Sequence, residues 1–531
     1  MRKGIHSLPI ILLALLLILA ACSNGNKTSN ESEGAKDNGV PKDGGTITIA
    51  VADNPQVMNP LYANDRVTLT IQQALYSALY HLENGEKNYV LAESFEPSED
   101  QLSWTLKLKD NLKWHDGEKI TADDIIFTID SILDEKQNSS MRGSLIFNGK
   151  PVKVEKVDEL TVTFTLPQVS ASFEGALNDF FPIPKHVFEK EADLEKSEKN
   201  QAPVGSGPFK FKEFKTDEYV VLERFDDYFA GKAKLDSIVY RVVKDPNTAN
   251  IALQKGEINM RLIEPQDFKK LQDTDKFNMV TFPEGRLFYM AFNLKSEAVQ
   301  KKELRQAVAH ALNKEELIQS AFVSGDFADP AASILTPDTL HHTEDIKQYD
   351  YNQDQAKELL ANAAIKENHK LRIIYANNNK IMESLALYSQ QKLEEIGLKV
   401  ELTPMDPSAY GQKTLDMDTT DYDISFGGYI MGPEPDVYKT LFQSDAAYNF
   451  ARYKNAEFDG LWEQAAVETD KEKRAELYKQ IQETVAEDVP YLPLAYPKAI
   501  LAVDKKFGGI EEAKAIPVTM VEDLSKIYEI E

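Results

Sequence analysis

Between residues 371 and 427 the spacing of apolar residues switches period twice. That alternation restricts the chain to few folds. LRIIYA (371–376) is a short β-branched and aromatic run. Residues 381–396 carry apolar side chains at helical spacing and stop at Gly397. LKVEL (398–402) alternates as a second strand, and DYDISFG (421–427) reads as a third. Strand–helix–strand succession predicts a mixed or parallel sheet with right-handed crossovers, so the fold class is α/β.

The amino terminus is of another kind. Arg2 and Lys3 precede an apolar run over 8–21, followed by a polar stretch without aromatics. A positive start, a short apolar core and small residues before a cut make a secretory signal. The run is short of the ~20 apolar residues of a spanning helix. Leu19-Ala20-Ala21-Cys22 resembles the lipobox of bacterial lipoproteins. That resemblance implies cleavage before Cys22 and a lipid on its sulfur, on a chain expected to end its leader at residue 21. Each buried methylene contributes ~0.8 kcal/mol to membrane attachment, and two or more acyl chains hold stably. Residues 22–42 contain almost no large apolar side chain and are expected to be a disordered tether. Its mean reach is about 25 Å.

Cys22 is the single cysteine among 531 residues, so the mature body has no disulfide, thiolate nucleophile or cysteine zinc site. Length allows two to four domains at ~150 residues each. Without the leader, 58 basic residues face 86 acidic ones. That balance argues against nucleic acid and against adsorption to anionic lipid.

Along the body, 46–53 alternates as a strand, and 54–65, with Pro55 and Pro60, is a loop at its carboxyl end. Residues 68–82 carry leucines near helical spacing. Trp104, Leu106 and Leu108 make a strand, and Asp116-Gly117 a turn. Thr121 and Asp124 form a capping box, with Ile120 and Ile125 as its staple. A hairpin is expected over 152–166, a Gly/Pro hinge over 203–211, strands at 219–224, 237–243 and, after Pro283-Glu284-Gly285, 286–294, and helices at 249–254, in two pieces over 303–322 with Asn313 and Glu316 as a second cap pair, from 458, and over 471–486.

No catalytic constellation appears. GxSxG, HExxH and Walker patterns are absent. Ser206 and the His115-Asp116 pair read as turn residues. His341-His342 is the best metal candidate, but adjacent histidines diverge unless the backbone bends, and no Cys or third His lies close. No metal or other cofactor is expected. The segment 429–436 stands out, because it leaves the carboxyl end of a strand in the alternating unit, where open α/β sheets bind ligands. The loop 54–65 bears the same relation to the first strand.

At WTLKLKDNLKWHDGEKITADDIIFT, and in ordered blocks from about Gly44 onward, the sequence resembles the extracellular solute-binding proteins of peptide ABC importers, family 5. GGTITIAVA, LAESFEP, VGSGPFKFKEF, LERFDDYFAGKAKLDSIVYR, ELRQAVAHALNKEELI and AELYKQIQETVAEDVPYLPL agree in order. It is similar above all to the oligopeptide-binding lipoproteins of Gram-positive bacteria (App/Opp type). The resemblance implies a two-lobed, type II periplasmic-binding fold with a hinged cleft. Lobe I would comprise 43–65, 186–288 and 501–531, with an inserted domain at 66–185, and lobe II would span 289–500. It implies a monomeric, non-enzymatic receptor on the outer face of the cell membrane, delivering oligopeptides to a permease. The same scaffold also serves nickel, haem and sugars, and a surface hydrolase is the reading from another class. Ligand contacts would come from 58–66 and 426–436: Tyr62, Asn64, Phe426, Gly428, Tyr429, Ile430, Met431, Glu434 and Asp436. The family often pairs a Trp with an Asp three residues on, which binds the peptide ammonium. Here Tyr429 and Gly432 stand at those places, leaving Glu434 or Asp436 as substitutes.

Overall fold

The computed structural model describes residues 39–363 and 369–531, so Cys22, the leader and most of the expected tether lie outside the described residues. The central feature is a mixed sheet built around one long strand, Tyr491–Asp504. Its carboxyl-terminal half pairs with Met260–Ile263 and Phe277–Pro283. Its amino-terminal half pairs with Arg286–Phe292. Thr46–Val51, Ser237–Val242, Tyr219–Arg224 and Phe209–Lys215 extend the sheet on one side. Ile424–Ile430, Lys370–Ala376 and Lys399–Met405 extend it on the other. In the strand order, Tyr491–Asp504 is the link between the two sides.

The alternating unit folds as its periodicity requires. Lys370–Ala376 runs parallel to both Lys399–Met405 and Ile424–Ile430, and the helix Lys380–Glu395 is the crossover between the first two. Alternate residues of Arg286–Phe292 feed two different cores. Phe288, Met290 and Phe292 pack with Ile373, Leu385 and Phe322. Leu287, Tyr289 and Ala291 pack with Trp462, Tyr478 and Ile481. Helices cover both faces, as a sheet with apolar residues on each side demands. A third core joins residues 47–282 with the carboxyl-terminal segment, including Phe507, Met520 and Ile527.

Local signals are realised where they predicted a cap. Asp124 accepts from the Thr121 N–H at 2.8 Å, and Ile120 and Ile125 are both buried. Asn313 accepts from the Glu315 and Glu316 N–H groups and so starts the helix Lys314–Phe322.

Three expectations change. The helix expected over 68–82 ends at Leu75, and Tyr80–Glu83 is a strand. The N–H groups of Ser206 and Gly207 take the Leu75 carbonyl at 3.0 and 2.9 Å, so the 203–208 segment docks on the helix end and turns the chain. Leu79 keeps its helical spacing but is buried by other neighbours. The tether reading reaches too far, since Pro41–Lys42 pair with the last strand, Tyr528–Ile530. Backbone pairing needs no apolar side chain, so composition did not reveal it. Finally, the strand expected at 421–427 runs from Ile424 to Ile430. The Gly427-Gly428 pair is inside it, not a loop entrance. A Cβ on Gly427 would lie 2.2 Å from the Tyr289 ring, so this glycine admits a neighbouring aromatic.

Candidate functional site

Because 428–430 is strand, its side chains alternate. Ile424 and Phe426 belong to the core beneath Phe288, and Gly428 and Ile430 continue that face. Tyr429 and Met431 lie on the other face, with Leu287 and Tyr289. The expected contact residues are therefore divided between two sides of one strand. Phe426 is wholly buried, and its side chain is core.

Tyr429 stacks among aromatics. Its ring centroid is 5.1 Å from Tyr289 and 6.1 Å from Phe442, and it lies parallel to Tyr438 at 6.5 Å. Its hydroxyl is buried and has no hydrogen-bond partner. Burial holds that hydroxyl well above the ordinary tyrosine range, with Tyr289 adding to the effect. The chain then turns. Met431 N–H donates to the Gly285 carbonyl at 2.6 Å, Gly432 N–H to the Tyr438 hydroxyl, and the Thr339 hydroxyl to the Gly432 carbonyl at 3.1 Å.

Glu434 is not a free carboxylate. Arg474 grips it in bidentate fashion, at 2.6 and 3.3 Å, with side-chain exposures of 7% and 8%. Asp436 is less committed. One oxygen accepts from Ser172 at 3.2 Å and pairs with Lys439 at 3.1 Å. The other is buried without a partner. Ser172 and Gly175 bring a distant part of the chain onto this turn. Gly175 sits against the Glu434 side chain, and Ala171 N–H donates to the Ala466 carbonyl at 2.9 Å.

The second expected stretch divides too. Tyr62 is buried in the third core, its hydroxyl 3.5 Å from Gln137. Asn64 is exposed. Asp65 caps the helix Arg66–Leu75, and Arg66 reaches Glu284 at 3.2 Å. Glu284 also faces Arg286 at 3.5 Å. Glu284-Gly285 is thus where the two stretches converge: Arg66 from one side, Met431 from the other. In the sequence Pro283-Glu284-Gly285 marks only a strand boundary, and Arg474 carries no local signal. His341 and His342 diverge, one stacking on Tyr478 and the other bonding to the Leu335 carbonyl. Among the described residues no group of three His, Cys, Asp or Glu is placed to hold a metal.

Residues 88–450 match the profile of the bacterial extracellular solute-binding proteins, family 5 (middle region). The chain belongs to that family. The oligopeptide-binding protein AppA of Bacillus subtilis is 33% identical, with 96% of each chain covered. A crystal structure of the ABC transporter substrate-binding protein CtaP from Listeria monocytogenes is 50% identical, with a TM-score of 0.90 over 92% of this chain and 100% of that one. AppA of Bacillus subtilis in complex with a nonapeptide is 29% identical by structural alignment, with a TM-score of 0.74 over 93% and 100%. The fold of this family member is the expected type II periplasmic-binding fold. Among the described residues no helix is long and apolar enough to cross a membrane.

Proposed function

We propose that this chain is the receptor of an ABC importer and captures oligopeptides between two lobes. Cys22 carries the lipid that keeps it at the outer membrane face, and the permease receives the ligand. The lobes divide near Glu284-Gly285 and along Tyr491–Asp504, the strand shared by both sides of the sheet. One observation carries the ligand class. Ile424–Ile430 is paired along one edge with Arg286–Phe292, but its other edge meets Lys370–Ala376 only at Ile424 and Ser425. Beyond Ser425, no described strand covers that edge. A short open edge of this kind bonds an extended peptide through its main chain and so tolerates many sequences. Asp436, with one buried oxygen unpartnered, is a better ammonium acceptor than Glu434, whose charge Arg474 neutralises.

Mass spectrometry of ligand released from natively purified protein tests this reading. A ladder of peptides is expected; a metal or sugar without peptide would overturn it. Tyr429→Phe is expected to leave thermal stability unchanged or raised, since it removes a buried hydroxyl without a partner. Tyr429→Ala, which removes the ring itself, should lower peptide affinity about three- to tenfold. Unchanged affinity in calorimetry would remove Tyr429 from the site. Cys22→Ala should release the protein into the medium with its ligand affinity intact. Retention in the membrane fraction would refute the anchor.

A further inference from the structure

Segments 66–185 and 289–500 are rooted in different apolar cores. Phe173 has no exposed surface and packs on Phe95, Trp104, Phe147 and Phe164, in the core that joins residues 47–282. The turn 429–436 is rooted through Tyr429 and Met431 in the core of Trp462 and Tyr478. Far along the chain from Glu284-Gly285, two tips of the first segment nevertheless reach the second.

The larger tip is 171–175. Ala171 N–H donates to the Ala466 carbonyl at 2.9 Å, and the Ser172 hydroxyl donates to the Asp436 carboxylate at 3.2 Å. A Cβ on Gly175 would lie 2.6 Å from both Cβ and Cγ of Glu434, so this glycine admits the glutamate stem. The smaller tip is the hairpin turn at Gly85, where a Cβ would lie 3.3 Å from a Leu340 methyl. Leu340 N–H in turn donates to the Pro433 carbonyl at 2.9 Å. Both tips therefore close on the turn 429–436 or on its immediate support.

Each side is braced from behind. The Tyr80 hydroxyl donates to the Glu174 carbonyl at 2.6 Å, and Lys87 pairs with the Glu174 carboxylate. On the facing side Arg474 holds Glu434 and Lys439 holds Asp436. The bonds that cross between the braced sides are ones that water can replace. Ala466 is in the last turn of the helix Ala456–Val467, where carbonyls have no partner within the helix. A hydroxyl leaving a carboxylate likewise exchanges one hydrogen bond for another. Such contacts part and re-form, whereas a shared apolar core would fix the two segments together.

We propose that 171–175, assisted by the Gly85 tip, is a latch: it holds the inserted segment 66–185 against lobe II when the cleft is shut and releases when the cleft opens. This inference rests on the two-lobed receptor proposed above. The latch joins protein to protein, so it favours the shut arrangement equally for every peptide. Weakening it lowers the fraction of shut protein and scales every affinity by one common factor.

The test uses the mature chain with Cys22→Ala, which leaves no other cysteine. Gly175→Ala sets a methyl against the Glu434 stem, in a short helix that accepts alanine. It should enlarge the radius of gyration in solution scattering. It should also weaken binding of several synthetic nonapeptides of unrelated sequence by the same factor, about three- to tenfold. Ser172→Ala should give a smaller loss, again uniform, with an unchanged Tm; it carries the test if Gly175→Ala fails to fold. Ala171→Cys with Ala466→Cys, joined by a short bismaleimide, should stop peptide from entering or leaving. Wild-type radius and affinity in the alanine variants overturn the latch, as does free exchange of peptide through the joined pair. A loss that varies with peptide sequence also overturns it, since it would mean that 171–175 touches the ligand. If the wild-type protein binds none of the peptides but Gly175→Ala is still expanded relative to the joined pair, the peptide reading fails and the latch stands; without that difference in radius, both fail.

Discussion

Arg474→Met will destabilise the protein by about 3–5 kcal/mol, read as a shifted midpoint in chemical denaturation. Arg474 and Glu434 are both almost fully buried and bonded twice to each other. Removing the guanidinium leaves a carboxylate in a water-poor site, beside Asp436. The ion pair itself is worth less than this number, because both charges were desolvated to make it. The double variant Arg474→Met, Glu434→Leu is therefore expected to recover most of the loss. A single-variant loss below about 1 kcal/mol would show that the pair is hydrated in solution. Since Ser172 and Gly175 rest on the same turn, the single variant should also bind peptide more weakly.

Acid will destabilise the protein through His115. Its Nδ1 accepts from the Gly205 N–H at 3.1 Å, and its other ring nitrogen lies 3.0 Å from the Gly207 carbonyl. A second ring proton would point at an N–H donor. Burial is the main cause that lowers this histidine to about 4, with Lys210 adding to it and the Gly207 bond opposing. The unfolded chain takes up the proton near 6.5, the folded chain only near 4. The unfolded state thus binds more protons between these values, and stability falls as pH drops through that window. The contribution is roughly 3 kcal/mol when complete. His341 is lowered similarly, by burial and then Arg474, so the measurement is a difference: the pH slope of wild type minus that of His115→Gln. Parallel slopes would refute the assignment.

Legibility followed the range of the forces involved. The capping box at Thr121 and Asp124 and the cap at Asn313 were readable because a cap is settled within four residues. Strand spans were readable to within a few residues because alternation is local. The end of the strand expected at 421–427 was misplaced for an equally physical reason. The missing side chains of Gly427 and Gly428 make room for Tyr289 and Phe288 from a strand about 140 residues earlier, a long-range fit that leaves no local signal. One consequence is that Phe426, Gly428 and Ile430 face away from Tyr429 and Met431. A list drawn from a continuous segment could not separate them.

The family, the α/β class and the candidate segments were determined by sequence alone, since ordered blocks and apolar periodicity are properties of the chain itself. Which of those residues meet was decided only in three dimensions. Glu434 is paired with Arg474, forty positions away. Arg66 and Met431 both come to Glu284-Gly285. Burial and long-range pairing select partners by distance in the folded state, and no local pattern of residues encodes that distance.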